Sequence, residues 1–220
     1  MDEKTRRLQE EHVRLIVEAN KMTNLTRIDS WDSAMLLHLE DSLVGAAELD
    51  DAPAGRSADL GSGAGFPGIP LYLETGRPFL LVESVGKKIR VLDDVLKKLG
   101  IDSEVKTYNG RIEELALEQP ESFAAVTARA LTALNSLMEL ASPLLQQGGR
   151  LVAYKSAACQ EELDVAKGLQ EKLGMKFISV RNCTLSDGKT RRSIVVFEKV
   201  AEPQVMLPRR VGMAQKRPYK

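Results

Sequence analysis

The sequence predicts an α/β fold: a mostly parallel sheet covered by helices, closed by an antiparallel hairpin and preceded by a helical cap. From Ser57 onward, short apolar runs alternate with helical stretches, which is typical of a parallel sheet with helices on both faces. Two later β runs, 176–185 and 191–200, are joined by a turn that contains Asp-Gly, which indicates a hairpin. Residues 1–55 show helical periodicity only. The fold prediction depends on these three observations.

The N-terminal segment is predicted to form two helices. Apolar residues recur at three- and four-residue spacing over 5–23, with charged residues between them, as on an amphipathic helix. Ser30 can cap a second helix, because its hydroxyl accepts a hydrogen bond from a free backbone N–H. A loop is expected at 48–55. The apolar face of the second helix is predicted to contain Trp31, Met35, Leu39, Leu43 and Ala46.

The central part of the chain starts with a strand at 57–60 and a helix that begins near Pro67, where the missing N–H of proline is not needed. Gly100 is expected to end a helix over 86–99. Further strands are predicted at 79–83, 104–108, 123–129 and 149–155, and further helices at 134–145 and 159–173. The chain is therefore divided into a helical cap at 1–55, a central domain at 56–202 and a tail at 203–220.

Composition limits the possible functions. The chain has 220 residues, 43% of them hydrophobic, and equal numbers of basic and acidic residues, 31 of each. This balance excludes a generally basic RNA-coating protein, so that any nucleic-acid surface must be a local patch. No apolar run is long enough to span a bilayer, and the N-terminus resembles no signal peptide. Cys159 and Cys183 lack metal-ligand spacing. We expect a cytoplasmic protein without a metal site or a membrane partner.

The segment from Asp59 to Gly68 is the strongest functional motif. A short strand leads into a turn with four glycines, and a helix follows. Glycine permits positive φ and close approach of a ligand, and the free N–H groups at a helix start favour an anionic group. Glu83, at the end of the next predicted strand, is suitably placed to bind ribose hydroxyls. The motif therefore predicts a nucleotide-binding turn.

Two features favour S-adenosylmethionine over NAD as that nucleotide. Asp59 lies two residues before the first glycine, where NAD enzymes usually have an apolar residue. The predicted hairpin also replaces the second βαβ half of a dinucleotide-binding domain. Both point to a class I S-adenosylmethionine-dependent methyltransferase with a Rossmann-like sheet. Ile112 and Glu113, after the third strand, would then flank the adenine.

Arg129 and Lys155 lie at the ends of the fourth and fifth predicted strands, at the sheet edge where ligands bind in open α/β folds. Arg129 suits a carboxylate or an RNA phosphate, and Lys155 a phosphate or a guanine acceptor. His38, Asp41 and Ser42 share one helix face, which either packs in the core or closes over the cofactor. The tail has five cations and no acid, which suits phosphate contacts but is also common at chain ends.

The stretch from Asp59 to Leu71, DLGSGAGFPGIPL, closely resembles the signature of the RsmG/GidB family of bacterial 16S rRNA guanine-N7 methyltransferases. The resemblance extends over nearly the whole chain. Further matching segments, in family order, are Asn24-Leu25-Thr26, His38 with Asp41-Ser42-Leu43, Glu83-Ser84 with Lys87-Lys88, Arg129-Ala130 and Pro208-Arg209-Arg210. Departures from the family pattern are Glu-Ser at 83–84 where many members have Asp-Ser, Thr-Ala before Arg129 where Ser is usual, and Ser156 where glycine is common.

The resemblance implies S-adenosylmethionine as cofactor and 16S rRNA of the 30S subunit as partner. It assigns Gly61, Phe66, Ile112, Glu113 and Arg129 to the cofactor site, with Glu83 on the ribose. Arg129 and Lys155 are the catalytic candidates. The full set of cofactor candidates is Asp59, Gly61, Gly63, Gly65, Phe66, Glu83, Ser84, Ile112, Glu113 and Arg129. The RNA-binding candidates are Lys155, Arg209, Arg210, Lys216 and Arg217.

Three alternatives remain open at the level of sequence. A class I methyltransferase could act on another RNA or on a small molecule, and the basic tail disfavours the latter. An NAD-dependent oxidoreductase is opposed by Asp59 and by the closing hairpin. A non-catalytic module that senses S-adenosylmethionine or docks on the ribosome is opposed by the presence of Glu83, Glu113 and Arg129.

Overall fold

The computed structural model describes residues 2–23, 25–157 and 159–220; Asn24, part of the segment that resembles the family, lies outside the described residues. Seven strands form one sheet in the order β3-β2-β1-β4-β5-β7-β6. The first five are parallel, and β7 is antiparallel to both β5 and β6. The strands are β1 Ser57–Leu60, β2 Phe79–Glu83, β3 Val105–Asn109, β4 Phe123–Arg129, β5 Leu145–Ser156, β6 Met175–Thr184 and β7 Arg191–Lys199. The predicted sheet and hairpin are confirmed.

Helices cover both faces of the sheet. The helices are α1 Glu3–Thr23, α2 Trp31–Ala34, α3 Asp41–Leu43, α4 Ala46–Asp50, α5 Gly68–Thr75, α6 Gly86–Leu99, α7 Ile112–Glu118, α8 Leu134–Ala141, α9 Gln160–Gly168, α10 Gln170–Leu173 and α11 Met213–Lys216, with a π-helical segment at Met35–Glu40. One core packs α7, α8 and α9 against the sheet, and a second packs α1, α5 and α6 against the other face. Among the described residues, no helix is long and apolar enough to cross a membrane.

The second predicted helix differs from the expectation. Ser30 caps α2 as predicted and accepts a hydrogen bond from the backbone N–H of Ser33. The next six residues are π-helical, which breaks the 3.6-residue period on which the predicted apolar face depends. Of the predicted apolar face, Trp31 is 43% exposed, whereas Met35, Leu39, Leu43 and Ala46 pack in the core. The predicted loop begins later than expected, because α4 continues to Asp50.

Two helices of the central domain are shorter than predicted. The helix predicted over 134–145 ends at Ala141, and Pro143, which has no N–H to donate, follows two residues later. β5 begins at Leu145, and its ladder with β4 starts at the pair Phe123–Leu145. The helix predicted over 159–173 is divided into α9 and α10 just after Gly168, a residue with low helix propensity.

The helical cap is fastened to the C-terminal hairpin by polar contacts. The guanidinium of Arg181 in β6 donates to both carboxylate oxygens of Glu48, at 2.6 and 2.8 Å. In the hairpin turn, the backbone N–H and hydroxyl of Ser186 both donate to Glu40. The hydroxyl of Tyr154 in β5 donates to the backbone carbonyl of Ser42. These contacts bring the cap to the carboxyl edge of the sheet.

Candidate active site

The glycine turn after β1 lies at the point where the strand order reverses, since β1 has β2 on one side and β4 on the other. In such sheets a crevice forms outside the carboxyl ends of the strands at this position. Gly61, Gly63 and Gly65 have φ values of 70°, 59° and 88°, a region that favours glycine. The backbone N–H groups of Gly61 and Ser62 both donate to the carbonyl of Val82, which fixes the turn against β2.

A cavity of about 290 Å³ opens beside this turn. Its walls come from the segments that follow β1 to β4, from α8 and from the C-terminal tail. Of the predicted cofactor residues, those that line it are Gly61, Glu83, Ser84, Ile112 and Glu113. The cavity, called the first cavity below, thus lies at the C-terminal ends of the four parallel strands β1 to β4. The positions of the sequence motifs predicted five of its lining residues.

Glu83 is the principal acid of the first cavity. Its side chain is only 8% exposed and accepts a hydrogen bond from the backbone N–H of Val85 at 2.9 Å. The ammonium of Lys88 lies 3.5 Å from its second oxygen. A carboxylate held in this way keeps lone pairs available for hydroxyl donors. Its position at the end of β2 is the one from which acids in Rossmann-like sheets bind ribose.

Asp59 faces the protein interior instead of the first cavity. It is fully buried, and its two oxygens accept hydrogen bonds from the backbone N–H of Gly68 at 3.0 Å and the hydroxyl of Thr127 at 2.9 Å. Burial raises the pKa of Asp59 to about 6, against the lowering effect of these two donors. The predicted cofactor contact is revised on this evidence: Asp59 holds the start of α5 to β4 and so shapes the turn.

Phe66, Gly63 and Gly65 also lie away from the walls of the first cavity. The Phe66 ring is stacked between the imidazoles of His12 and His38, with centroid distances of 4.2 and 4.5 Å. The Nε2 atom of His12 is 3.1 Å from the carbonyl of Ala64, and burial lowers the pKa of His12 to about 3. The cofactor contacts predicted for Phe66, Gly63 and Gly65 stay predictions, and in this structure the two imidazoles support the Phe66 ring. The sequence did not identify His12 as part of this support.

A second cavity, of about 510 Å³, lies on the other side of the β4 terminus. Ala130 lines both cavities and has a left-handed backbone with φ of 54°, which is uncommon for a residue with a Cβ. The charged and aromatic side chains that line the second cavity are His38, Asp41, Arg129, Tyr154, Lys155 and Arg192. Both catalytic candidates are therefore brought together here, next to the first cavity.

Asp41 organises the second cavity. Its side chain is 3% exposed, and it accepts from Arg129 Nη1 at 3.0 Å and from Arg192 Nε at 2.8 Å and Nη2 at 3.2 Å. Arg129 also donates to the carbonyl of Leu37 at 3.1 Å. The nearby guanidinium of Arg129 and, more strongly, burial lower the pKa of His38 to about 4. Its imidazole is therefore neutral near pH 7.

Arg192 was not among the predicted site residues, although it follows the predicted hairpin turn at the start of β7. The antiparallel register of β5 and β7 pairs Ser156 with Arg192 and Lys155 with Ser193. Lys155 itself is already paired: its ammonium lies 2.6 Å from the carboxylate of Glu162 and 3.1 Å from the carbonyl of Thr132. The predicted residues Arg129 and Lys155 thus share the second cavity with Arg192. The pairing of β5 with β7 is what places Arg192 there.

The basic tail folds back onto α8. Arg209 donates to both oxygens of the buried Glu139 at 2.6 Å, and its guanidinium lies 4.2 Å from the centroid of the Tyr219 ring. This pairing engages the Arg209 guanidinium within the protein, and its predicted phosphate contact stays a prediction. The other tail candidates, Arg210, Lys216 and Arg217, are exposed. Among the described residues, no cluster of three or more His, Cys, Asp or Glu side chains could hold a metal ion.

Several solved structures that resemble this chain are named as methyltransferases. A putative RNA methyltransferase from Pyrococcus horikoshii superposes with a TM-score of 0.55 at 16% identity, covering 74% of this chain and 82% of that one. A Corynebacterium glutamicum protein gives a TM-score of 0.56 at 14% identity and covers 93% of both chains. At these identities the likeness concerns the fold alone, and it confirms the predicted class I methyltransferase architecture.

Sequence relatives are closer. Ribosomal RNA small subunit methyltransferase G of Lactobacillus johnsonii is 36% identical over 208 residues, which cover 92% of this chain and 87% of the relative. The protein of the same name from Clostridium novyi is 35% identical, with 93% and 85% covered. The GidB family model, described as rRNA small subunit methyltransferase G, matches residues 5–195. The chain therefore belongs to the GidB family of rRNA small subunit methyltransferases, as its glycine signature predicts.

Proposed function

We propose that this protein transfers a methyl group from S-adenosylmethionine to N7 of a specific guanine in 16S rRNA of the small ribosomal subunit. The observation that carries the proposal is the pair of cavities that meet at Ala130. The first has the acid and apolar groups that suit an adenosyl moiety, and the second is lined by cations that suit nucleic acid. Relatives named for small-subunit rRNA support the substrate, and cytoplasmic location follows if that subunit is the target.

The residues of the first cavity fit the adenosyl group. Glu83 offers carboxylate oxygens for two ribose hydroxyls, and Ile112, Leu131 and Leu140 provide apolar walls for a purine ring. Gly61 allows the backbone to pass under Leu131, since a Cβ there would lie 2.8 Å from a Leu131 methyl carbon. Residues that hold the ribose and the purine would fix the orientation of the cofactor relative to the second cavity.

The mechanism needs positioning more than proton transfer. S-adenosylmethionine supplies an electrophilic methyl group when bound, and guanine N7 has an in-plane lone pair and no hydrogen to lose. A general base is therefore not required, and the lowered pKa of His38, about 4, makes its imidazole a weak one. Arg129 and Arg192 are oriented by Asp41, so that they can hold the base or a neighbouring phosphate in a fixed pose. Catalysis then depends on proximity and orientation.

The second cavity indicates what state the RNA must adopt. Because the major groove of an RNA duplex is deep and narrow, a paired guanine could not bring its N7 atom into this cavity, so the target must be unpaired or extruded from its stack. Asp41 lies between the two guanidinium groups and reduces the repulsion that a positively charged methylated base would meet there. The pairing of Asp41 with Arg129 and Arg192 therefore suits both binding of the base and release of the methylated product.

The direct test uses radiolabelled S-adenosylmethionine and unmethylated 30S subunits. Label should enter 16S rRNA, and chemical strand scission at 7-methylguanine should locate one position. Arg129→Ala should lower the rate at least ~100-fold, within the range expected when a positioning contact is lost. Arg191→Ala, which removes an exposed arginine next to Arg192, is the matched control and should remain active. The absence of label from rRNA in 30S subunits and in naked rRNA would refute the proposal.

A further inference from the structure

The C-terminal strap, residues Arg209–Tyr219, is held on α8 by several contacts that the proposed reaction does not explain. The hydroxyl of Ser136 donates to the carbonyl of Ala214 at 2.7 Å, and the amide of Asn135 donates to the carbonyl of Tyr219 at 2.7 Å. The buried ion pair between Arg209 and Glu139 fixes its N-terminal end. The strap is thus fixed at three points along one helix.

A fourth contact joins the strap to the first cavity. The backbone N–H of Gly212 donates to a carboxylate oxygen of Glu113 at 2.6 Å, and Glu113 itself lines that cavity. Gly212 has φ of 78°, so the strap turns there with a backbone conformation that favours glycine. This turn leads into α11 and brings Gln215 to the wall of the first cavity, which Ile112 and Leu140 also line.

Gln215 is exposed at this wall, and its side-chain amide makes no hydrogen bond within the described parts of the chain. Of the strap residues, Gln215 lines the first cavity, so its amide is available there to meet a ligand. A glutamine amide has one donor and one acceptor edge, which match the N6 amino group and an adjacent ring nitrogen of adenine. Gln215 shares this cavity with Glu83, Ile112 and Glu113, and the hydrogen bond from Gly212 to Glu113 joins its segment to the start of α7.

We propose that Gln215 is a cofactor-binding residue that recognises the adenine of S-adenosylmethionine, and that the strap is anchored on α8 in order to place it. The inference rests on the proposed function, because the ligand is the cofactor of that reaction. It also gives the tail a role in the cofactor site, which differs from the RNA contacts that its charge suggests.

The test measures binding of S-adenosylhomocysteine by isothermal titration calorimetry, without RNA and without turnover. Gln215→Ala should weaken binding about tenfold, as expected for loss of a paired amide contact to adenine. Gln204→Ala is the matched control, because Gln204 is an exposed glutamine in the preceding segment that does not line the first cavity; it should bind as wild type. Gly212→Ala, which strains the turn but meets only the Lys216 side chain at 3.7 Å, should weaken binding several-fold.

Adenine recognition is tested separately with S-inosylhomocysteine, in which an oxo group replaces the N6 amino group. Wild type should prefer the adenosyl ligand, and Gln215→Ala should lose about tenfold of that preference. Binding of S-adenosylhomocysteine by Gln215→Ala within twofold of wild type would overturn the inference alone, and so would equal weakening for both ligands. Failure of the wild-type protein to bind S-adenosylhomocysteine would overturn the proposed function as well.

Discussion

Asp41→Asn is the substitution that most directly tests how the second cavity is built. It preserves the size of the side chain but removes the negative charge that faces two guanidinium groups. Asp41 accepts three hydrogen bonds from Arg129 and Arg192 at 2.8–3.2 Å. An asparagine offers one oxygen in place of two, and its amide donors would face cationic donors. We therefore expect loss of stability together with loss of orientation of Arg129.

The magnitude follows from burial. Breaking a fully buried charged pair costs about 3–5 kcal/mol. The side chains here are 3% exposed for Asp41, 13% for Arg129 and 25% for Arg192, so solvent relieves part of the cost. We expect a fall in the free energy of unfolding of about 2–3 kcal/mol, which corresponds to a decrease in Tm of about 5–10 °C for a chain of this length.

The assay is urea denaturation followed by circular dichroism, with Asp51→Asn as the matched control. Asp51 is 77% exposed and lies 3.8 Å from Arg150, a surface pair worth less than about 1 kcal/mol. Methylation of 30S subunits by Asp41→Asn should fall at least ~10-fold, while S-adenosylhomocysteine affinity stays near wild type. If Asp41→Asn costs no more stability than Asp51→Asn, the view of Asp41 as the organiser of this cavity is refuted.

Three further predictions concern the first cavity and its support. The raised pKa of Asp59, about 6, makes its contribution to stability fall as pH rises from about 4 to 6. Asp59→Asn should therefore gain stability relative to wild type as pH is raised from about 4 to 6 in urea titrations. The lowered pKa of His12, about 3, has the opposite sign: the unfolded chain takes up the proton first as pH falls below ~6.5, and His12→Gln should gain relative to wild type as pH is lowered over the same interval. Glu83→Gln should weaken S-adenosylhomocysteine binding about tenfold through loss of a charged acceptor, measured by calorimetry, with an unchanged Tm in the absence of ligand. Unchanged pH profiles in the first two variants, or unchanged affinity in the third, would contradict the assigned environments.

Local patterns were sufficient where a segment is dictated by its own residues. The strands at 57–60, 79–83 and 123–129 have the predicted bounds, because continuous apolar runs between turn residues leave few alternatives. The π-helical segment at 35–40 was not predicted, because a 3.6-residue template contains no such state. The end of α8 differs from the prediction because the apolar pattern continues past Ala141, whereas Pro143, which has no N–H, follows the end of the helix.

The sequence by itself determined the family, the sheet and the residues at the strand ends, among them Gly61, Glu83 and Arg129. These follow from motifs whose members are close in the chain, and parallel strands bring their carboxyl ends to one edge whatever the rest of the chain does. The tertiary structure alone decided which way those side chains face. Asp41 meets Arg192 across 151 positions, and Glu113 meets Gly212 across 99. Contacts at such separations depend on how the cap and the tail pack on the sheet, and no local periodicity encodes that packing.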